Sequence, residues 1–170
     1  MKLLYKGLLL GAIQLALVVS LGGKLLYDRA TRPRVWVRTA PVDPNLPIRG
    51  RYVALRLEVP APGLSSSINK QNLGLVGVHL QLEGRQLVAV PSDAGDALWT
   101  WLRREGDAVV ATVGELGELA FFIPEHVPDP SRRLAGEELW VEVTLPKKGP
   151  PRPIRLGVKK GGEITPLALR

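Results

Sequence analysis

The sequence predicts a mainly β protein: one N-terminal transmembrane helix followed by an all-β sandwich or barrel-like domain of about nine short strands. Three observations carry this expectation. A run of 17 uncharged residues lies between Lys6 and Lys24. Apolar and polar residues alternate with a period of two through much of the chain after residue 33. The 18 Gly and 15 Pro among 170 residues call for many turns and argue against a helical bundle.

The first element is the anchor, placed at residues 1–26, with the β-domain at 27–170. In the uncharged run only Gln14 and Ser20 are clearly polar. At about 1.5 Å per residue its helix is roughly 26 Å long, near the short end for a hydrocarbon core of about 30 Å. Leu3, Leu4, Leu25 and Leu26 extend it while Lys6 and Lys24 snorkel, and Tyr5 and Tyr27 fall where interfacial aromatics belong. A cleaved signal peptide is the rival reading. It fits less well, because Ser20-Leu21-Gly22 is a poor cleavage site and the run exceeds a usual signal core of about 7 to 15 residues. Lys24, Arg29, Arg32, Arg34 and Arg38 follow the span, so the positive-inside rule read literally places the body inside. The expectation is nevertheless N-terminus in and body outside the cytoplasm, since a short N-terminal tail then needs no translocation.

Strands follow in order. Arg34 to Arg38 alternates around Val35 and Val37, and Tyr52 to Val59 puts Val53, Leu55, Leu57 and Val59 on one face before Pro60 and Pro62 end it. Leu73 to Leu82 turns through Glu83-Gly84-Arg85 into Gln86 to Val90. Leu98 to Leu102 pairs with Ala108 to Val113 through Arg104-Glu105-Gly106-Asp107. Glu118 to Ile123 and Glu138 to Leu145 are further strands, and Lys159-Lys160-Gly161-Gly162 joins Ile154–Val158 to Ile164–Leu169. Trp99 and Trp101 share a strand face, and core packing is the expectation for them, with lining of an interior cavity as the alternative. Asp129 to Gly136 is the one helical hint in the body, with Asp129 as N-cap and Gly136 as C-cap.

Composition excludes several functions. There is no Cys, so no disulfide framework and no cysteine nucleophile, and with two His a multi-His metal centre is not expected. No cofactor is expected either. The net charge of +7 is arranged in blocks: residues 24–56 carry +6, 57–146 carry −7 and 147–170 carry +6. Beside a membrane anchor, the basic residues of 24–38 point to a lipid surface rather than nucleic acid, for which no binding motif is present, whereas the C-terminal tail reads as solvated charge that keeps a β-rich domain soluble.

The residues at 40–57 form a pattern: Pro41, Asp43 and Pro44, then Arg49-Gly50-Arg51-Tyr52 and Leu55. The prolines fix φ, Asp43 caps a turn, Gly50 permits a bulge at a strand entrance and Tyr52 buries its ring. Turn chemistry alone explains these residues; a docking surface is the functional alternative. The segment resembles the motif of the GDYXXLXY family of small bacterial membrane proteins, roughly P-x-D-P followed by R-G-D-Y-x-x-L-x-Y. Arg51 stands where that pattern has Asp, and Leu57 where it has its last Tyr. A second element, Phe121-Phe122-Ile123-Pro124-Glu125, is similar to the family's later F-V-P-E. The resemblance implies a multi-spanning membrane partner and no particular activity. It makes Pro41, Asp43, Pro44, Arg49, Gly50, Tyr52, Leu55, Pro124 and Glu125 candidates for docking, with an Arg49–Glu125 ion pair if the two elements are neighbours.

The expected function is therefore a non-catalytic accessory protein of the bacterial cell envelope beside an integral membrane partner. Gly11, Ala12 and Ala16 offer small surfaces for helix contact, and Gln14 offers an interhelical hydrogen bond. Two alternatives stand beside it. One is an envelope hydrolase using a Ser/Lys pair: Ser67-Ile68-Asn69-Lys70 is formally S-x-x-K, and Arg49 to Val53 is faintly similar to a strand motif of type I signal peptidases. No Ser-Met element follows the anchor, because Met1 is the only Met. The other is a ligand-binding β-domain with an apolar interior cavity.

Overall fold

The computed structural model describes residues 2–40, 52–64, 75–114, 119–147 and 149–169. The chain divides into two compact units, Met1–Pro33 and Arg34–Arg170.

The first unit is α1 (Lys2–Thr31), one helix of 30 residues. It runs past residue 26, because Asp28 pairs with Arg32 at 3.2 Å and the Thr31 hydroxyl donates to the Tyr27 carbonyl at 2.8 Å. Pro33 then has no N–H to continue the ladder. From Tyr5 to Tyr27 nearly every side chain is exposed.

The second unit is all β. In chain order it holds β1 (Arg34–Ala40), β2 (Tyr52–Pro60), a 3-10 turn at Pro62–Leu64, β3 (Leu75–Glu83), β4 (Gln86–Pro91), β5 (Leu98–Glu105), β6 (Ala108–Val113), β7 (Leu119–Phe122), β8 (Glu138–Thr144), β9 (Arg152–Lys160) and β10 (Glu163–Pro166). They form one antiparallel sheet in the order β10-β9-β8-β1-β2-β6-β5-β3-β4, with β7 added on β2. The sheet curls far enough for β4 to pack on β1 and β2, yet no ladder closes it. The expected mainly β domain is present, with ten strands and an open sheet instead of a closed barrel.

Three hairpins turn where the sequence puts Gly. Gly84-Arg85 and Gly106-Asp107 are two-residue loops with φ of 61° and 62° at the Gly, and Gly161-Gly162 uses φ of 58° and 93°. The helix expected at 129–136 is absent. The Asp129 carboxylate accepts from the Ser131 amide at 2.9 Å and from its hydroxyl at 2.8 Å, which closes a turn locally. Gly136 at φ 82° then sits inside a second turn, closed by the Glu137 amide on the Leu134 carbonyl at 3.0 Å, and no helical ladder joins the two.

β2 carries two partners along one length. Leu57 faces Val113 of β6, whereas Leu55 faces Leu119 of β7. Two steps on β2 thus correspond to six along the facing chain, and β7 resumes the pairing with a register offset of four residues. Leu55, Leu57, Val59, Val78, Leu87, Leu102, Val141 and Leu156 fill the core on the inner face. Two buried threonines bridge strands there: Thr39 donates to the Leu139 carbonyl at 2.9 Å and Thr100 to the Thr112 carbonyl at 2.6 Å. Thr100→Val is expected to cost about 1 kcal/mol, the net worth of one such bond. An unchanged urea midpoint would show that the bond contributes nothing.

Candidate functional site

Of the motif residues, Pro41, Asp43, Pro44, Arg49 and Gly50 lie outside the described residues, as does Ser67-Ile68-Asn69-Lys70. The described ones are brought together by the β2–β7 ladder. Tyr52 faces Phe122, with ring centroids 6.2 Å apart and planes tilted by 53°. Tyr52 is buried, while Phe122 is 71% exposed. Pro124 and Glu125 follow in an exposed turn closed by the Val127 amide on the Pro124 carbonyl at 3.2 Å. Leu55 is different in kind: it is fully buried and packs in the core. The two sequence elements are thus neighbours, with Phe122, Pro124 and Glu125 exposed and Tyr52 buried beside Phe122.

A second constellation has no counterpart in the sequence reading. Across the outward face of the sheet, one cross-strand row runs Trp140, Arg38, Glu58, Thr112, Trp101, Leu75, each residue opposite the next on the neighbouring strand. Glu58, 8% exposed, lies between two arginines. Arg103 contacts its Oε1, and Arg38 Nε stands 3.1 Å from Oε2, an ion pair without a hydrogen bond to that oxygen. Arg38 also reaches Glu105 at 3.3 Å and Glu138 at 3.6 Å. Burial opposes the charge on Arg38, but Glu58, Glu138 and Glu105 outweigh it and hold the guanidinium above its usual value. A cation raised in this way contributes stability below its unfolded value and loses it only as pH climbs past the folded one. Arg38 therefore stays charged through the whole neutral and mildly alkaline range. A cleft of about 220 Å³ opens beside the cluster between Trp36, Trp140, Pro60 and Gln86.

The row continues toward β9 as an aromatic and cationic layer. Arg155 bonds Glu142 at 2.7 Å and stacks 5.4 Å from the Trp36 ring centre, and Lys159 lies 4.5 Å from that of Trp140. Gly157 makes room for this: a Cβ there would stand 2.8 Å from the Trp36 ring. Every carboxylate in the layer has a cation or an indole N–H beside it, including Glu138, which accepts from Trp140 Nε1 at 3.0 Å. The arrangement neutralises the buried charge of Glu58 between strands.

At the other end of the row the outward face turns apolar. Trp99 is 59% exposed, Trp101 41% and Leu75 40%. This corrects the expectation that the two tryptophans pack in the core or line an interior cavity. The opposite parity of β5, Leu98, Thr100 and Leu102, points inward instead. An open apolar groove of about 580 Å³ runs from Leu75 and Trp99 to Val113, Gly114 and Pro150. His79 and His126 are both exposed, and among the described residues no group of three His, Asp or Glu side chains is placed to hold a metal.

On α1, Gln14 is exposed on the same helix stripe as Gly7, Gly11 and Val18, spaced at three to four residues. Nothing lies within 4 Å of a Cβ built at Gly7 or Gly11. Gly7 belongs with the small surfaces already named at Gly11, and its Gly-x-x-x-Gly spacing was the signal that could have found it.

Fold and surfaces together define the class: an N-terminal apolar helix carrying an open, ten-stranded antiparallel β body. Compared with protein-family models, curated proteins and solved structures, the chain matches none.

Proposed function

We propose that this chain is a single-pass, membrane-anchored and non-catalytic docking protein of the bacterial cell envelope, its body outside the cytoplasm and its helix beside a multi-spanning membrane protein. The observation that carries the reading is α1. From Tyr5 to Thr31 it is long and apolar enough to cross a bilayer, and its most apolar stretch has no side chain buried against protein. A helix apolar all round needs an apolar medium, and lipid supplies it. The likeness of the 40–57 and 121–125 segments to the GDYXXLXY family supports the same assignment, as does the exposed Phe122 beside Tyr52. Within the bilayer the Gly7, Gly11, Gln14 stripe is the contact surface: the glycines admit a close neighbour and Gln14 supplies a hydrogen bond.

The test is purification of the tagged chain in mild detergent, with mass spectrometry of what remains bound. A stoichiometric multi-spanning protein is expected. Gln14→Leu should lower its recovery by about 3- to 30-fold, the equivalent of an interhelical hydrogen bond of about 0.6 to 2 kcal/mol. Recovery equal to the wild type would remove Gln14 from the interface. A clean monomer that still floats with lipid would leave the anchor and end the partner.

A further inference from the structure

We propose that the outward face carrying Leu75, Trp99 and Trp101 rests in the headgroup layer of the bilayer that holds α1. The inference builds on the membrane-anchor reading and names the surface of the body that meets the lipid.

Three arguments lead there. The first is the tether. Only Arg32 and Pro33 separate α1 from β1. The apolar part of the helix ends at Tyr27, so Arg34 follows after one polar helical turn and a two-residue link, within roughly 15 Å of the hydrocarbon. With α1 in a bilayer, some face of the body is in continuous reach of the headgroups. The second is the chemistry of the face. Leu75 stands opposite Trp101 and Gly77 opposite Trp99, so on this side of β3 and β5 the two indoles lie next to one another; Gly77 is itself covered by the Ser92 carbonyl, while Trp99 stays 59% exposed. Indole has an apolar body and one N–H donor, which is why Trp concentrates where hydrocarbon meets water. Charge contributes little: residues 57–146 carry −7, and Arg103, on the same strand face, is held by Glu58. The contact is therefore apolar and insensitive to salt.

The third is area. The exposed parts of the two indoles and one leucine amount to about 300 Å², well short of the about 800 Å² per partner that a stable dimer buries. A second copy is thus a poor occupant, whereas interfacial lipid needs no such area when the chain is already anchored.

The sequence makes the test direct. All four tryptophans, Trp36, Trp99, Trp101 and Trp140, lie in the body and none in α1, so indole fluorescence of the full chain reports the body alone. The chain is reconstituted into phosphatidylcholine vesicles whose acyl chains carry bromine near the headgroup end. Bromine is expected to quench about half of the emission, two indoles of four, equally at low and high salt. Quenching should fall to near zero in Trp99→Ser/Trp101→Ser. Both side chains are exposed, so the change opens no cavity. Wild-type emission that bromolipid leaves intact while aqueous acrylamide quenches it would overturn the proposal. So would quenching that survives in the double variant. Flotation after an alkaline carbonate wash separates the two readings. Chain that floats without bromine quenching overturns the lipid-facing surface alone; chain that does not float overturns the anchor and this face together. A double variant that loses a co-purifying membrane protein, on a wild-type background without quenching, assigns the face to that protein instead.

Discussion

Gly114→Ala is expected to destabilise the body by about 2–4 kcal/mol, and so to lower its melting midpoint by roughly 10 °C. Gly114 ends β6 at φ 110°, a backbone conformation that an L side chain rarely adopts. A Cβ there would also stand 2.7 Å from the Leu55 carbonyl oxygen, which is backbone and cannot swing away, and 3.3 Å from the Leu119 side chain. Both neighbours belong to the β2–β7 ladder, so relief of the clash must shift the pairing that holds Tyr52 against Phe122. Gly84→Ala is the control. Its φ is 61°, but nothing lies within 4 Å of a Cβ, so it should cost only the backbone term of about 1–2 kcal/mol. Thermal melts of the full chain in detergent, followed by near-ultraviolet circular dichroism, give both numbers. Equal midpoints for the two variants would refute the close approach at Leu55.

Removal of both arginines from Glu58, as Arg38→Met/Arg103→Met, is expected to cost about 3–5 kcal/mol, because it leaves a carboxylate charged, buried and unpaired. Each single change should cost far less, on the order of 1 kcal/mol. One arginine remains in each case, and both guanidinium groups are about half exposed and screened by water. The pair is thus non-additive, which is the signature of a shared partner. Adding Glu58→Leu to the double variant should recover most of the loss, since an apolar trio leaves no buried charge. Urea unfolding is the appropriate measurement, because guanidinium salts would screen the ion pairs under study. Strict additivity of the two single changes would show that Glu58 does not depend on the pair.

Much of the scaffold was legible because it rests on local chemistry. Gly84, Gly106 and the Gly161-Gly162 pair mark hairpins wherever they fall between alternating runs, since positive φ there is a property of glycine itself. The helix expected at 129–136 stops at its cap: the Asp129 carboxylate accepts from the Ser131 amide as an N-cap would, but the chain leaves the helical path after a single turn. The motif was legible in part. Tyr52 and Phe122 are 70 positions apart in the chain, and two similar sequence elements hinted at a shared surface, but only the β2–β7 register joins them. Leu55 lies in the same stretch and turned out to be a core residue.

Hydrophobicity and period decided, from sequence alone, that the chain has one long apolar helix followed by a β body with these turns. They also decided that Trp99 and Trp101 lie on one side of a strand. They did not decide which side. In Leu98-Trp99-Thr100-Trp101-Leu102 both parities are apolar enough for a core, so composition cannot choose between them. The neighbours chose: Thr100 finds the Thr112 carbonyl and Leu102 the inner cluster, and the indoles are left outside opposite Gly77 and Leu75. Arg38, Glu58 and Arg103 tell the same story. Nothing in their spacing links them, and the strand order β1-β2-β6-β5 brings them to one place because charge pairing acts through space, not along the chain.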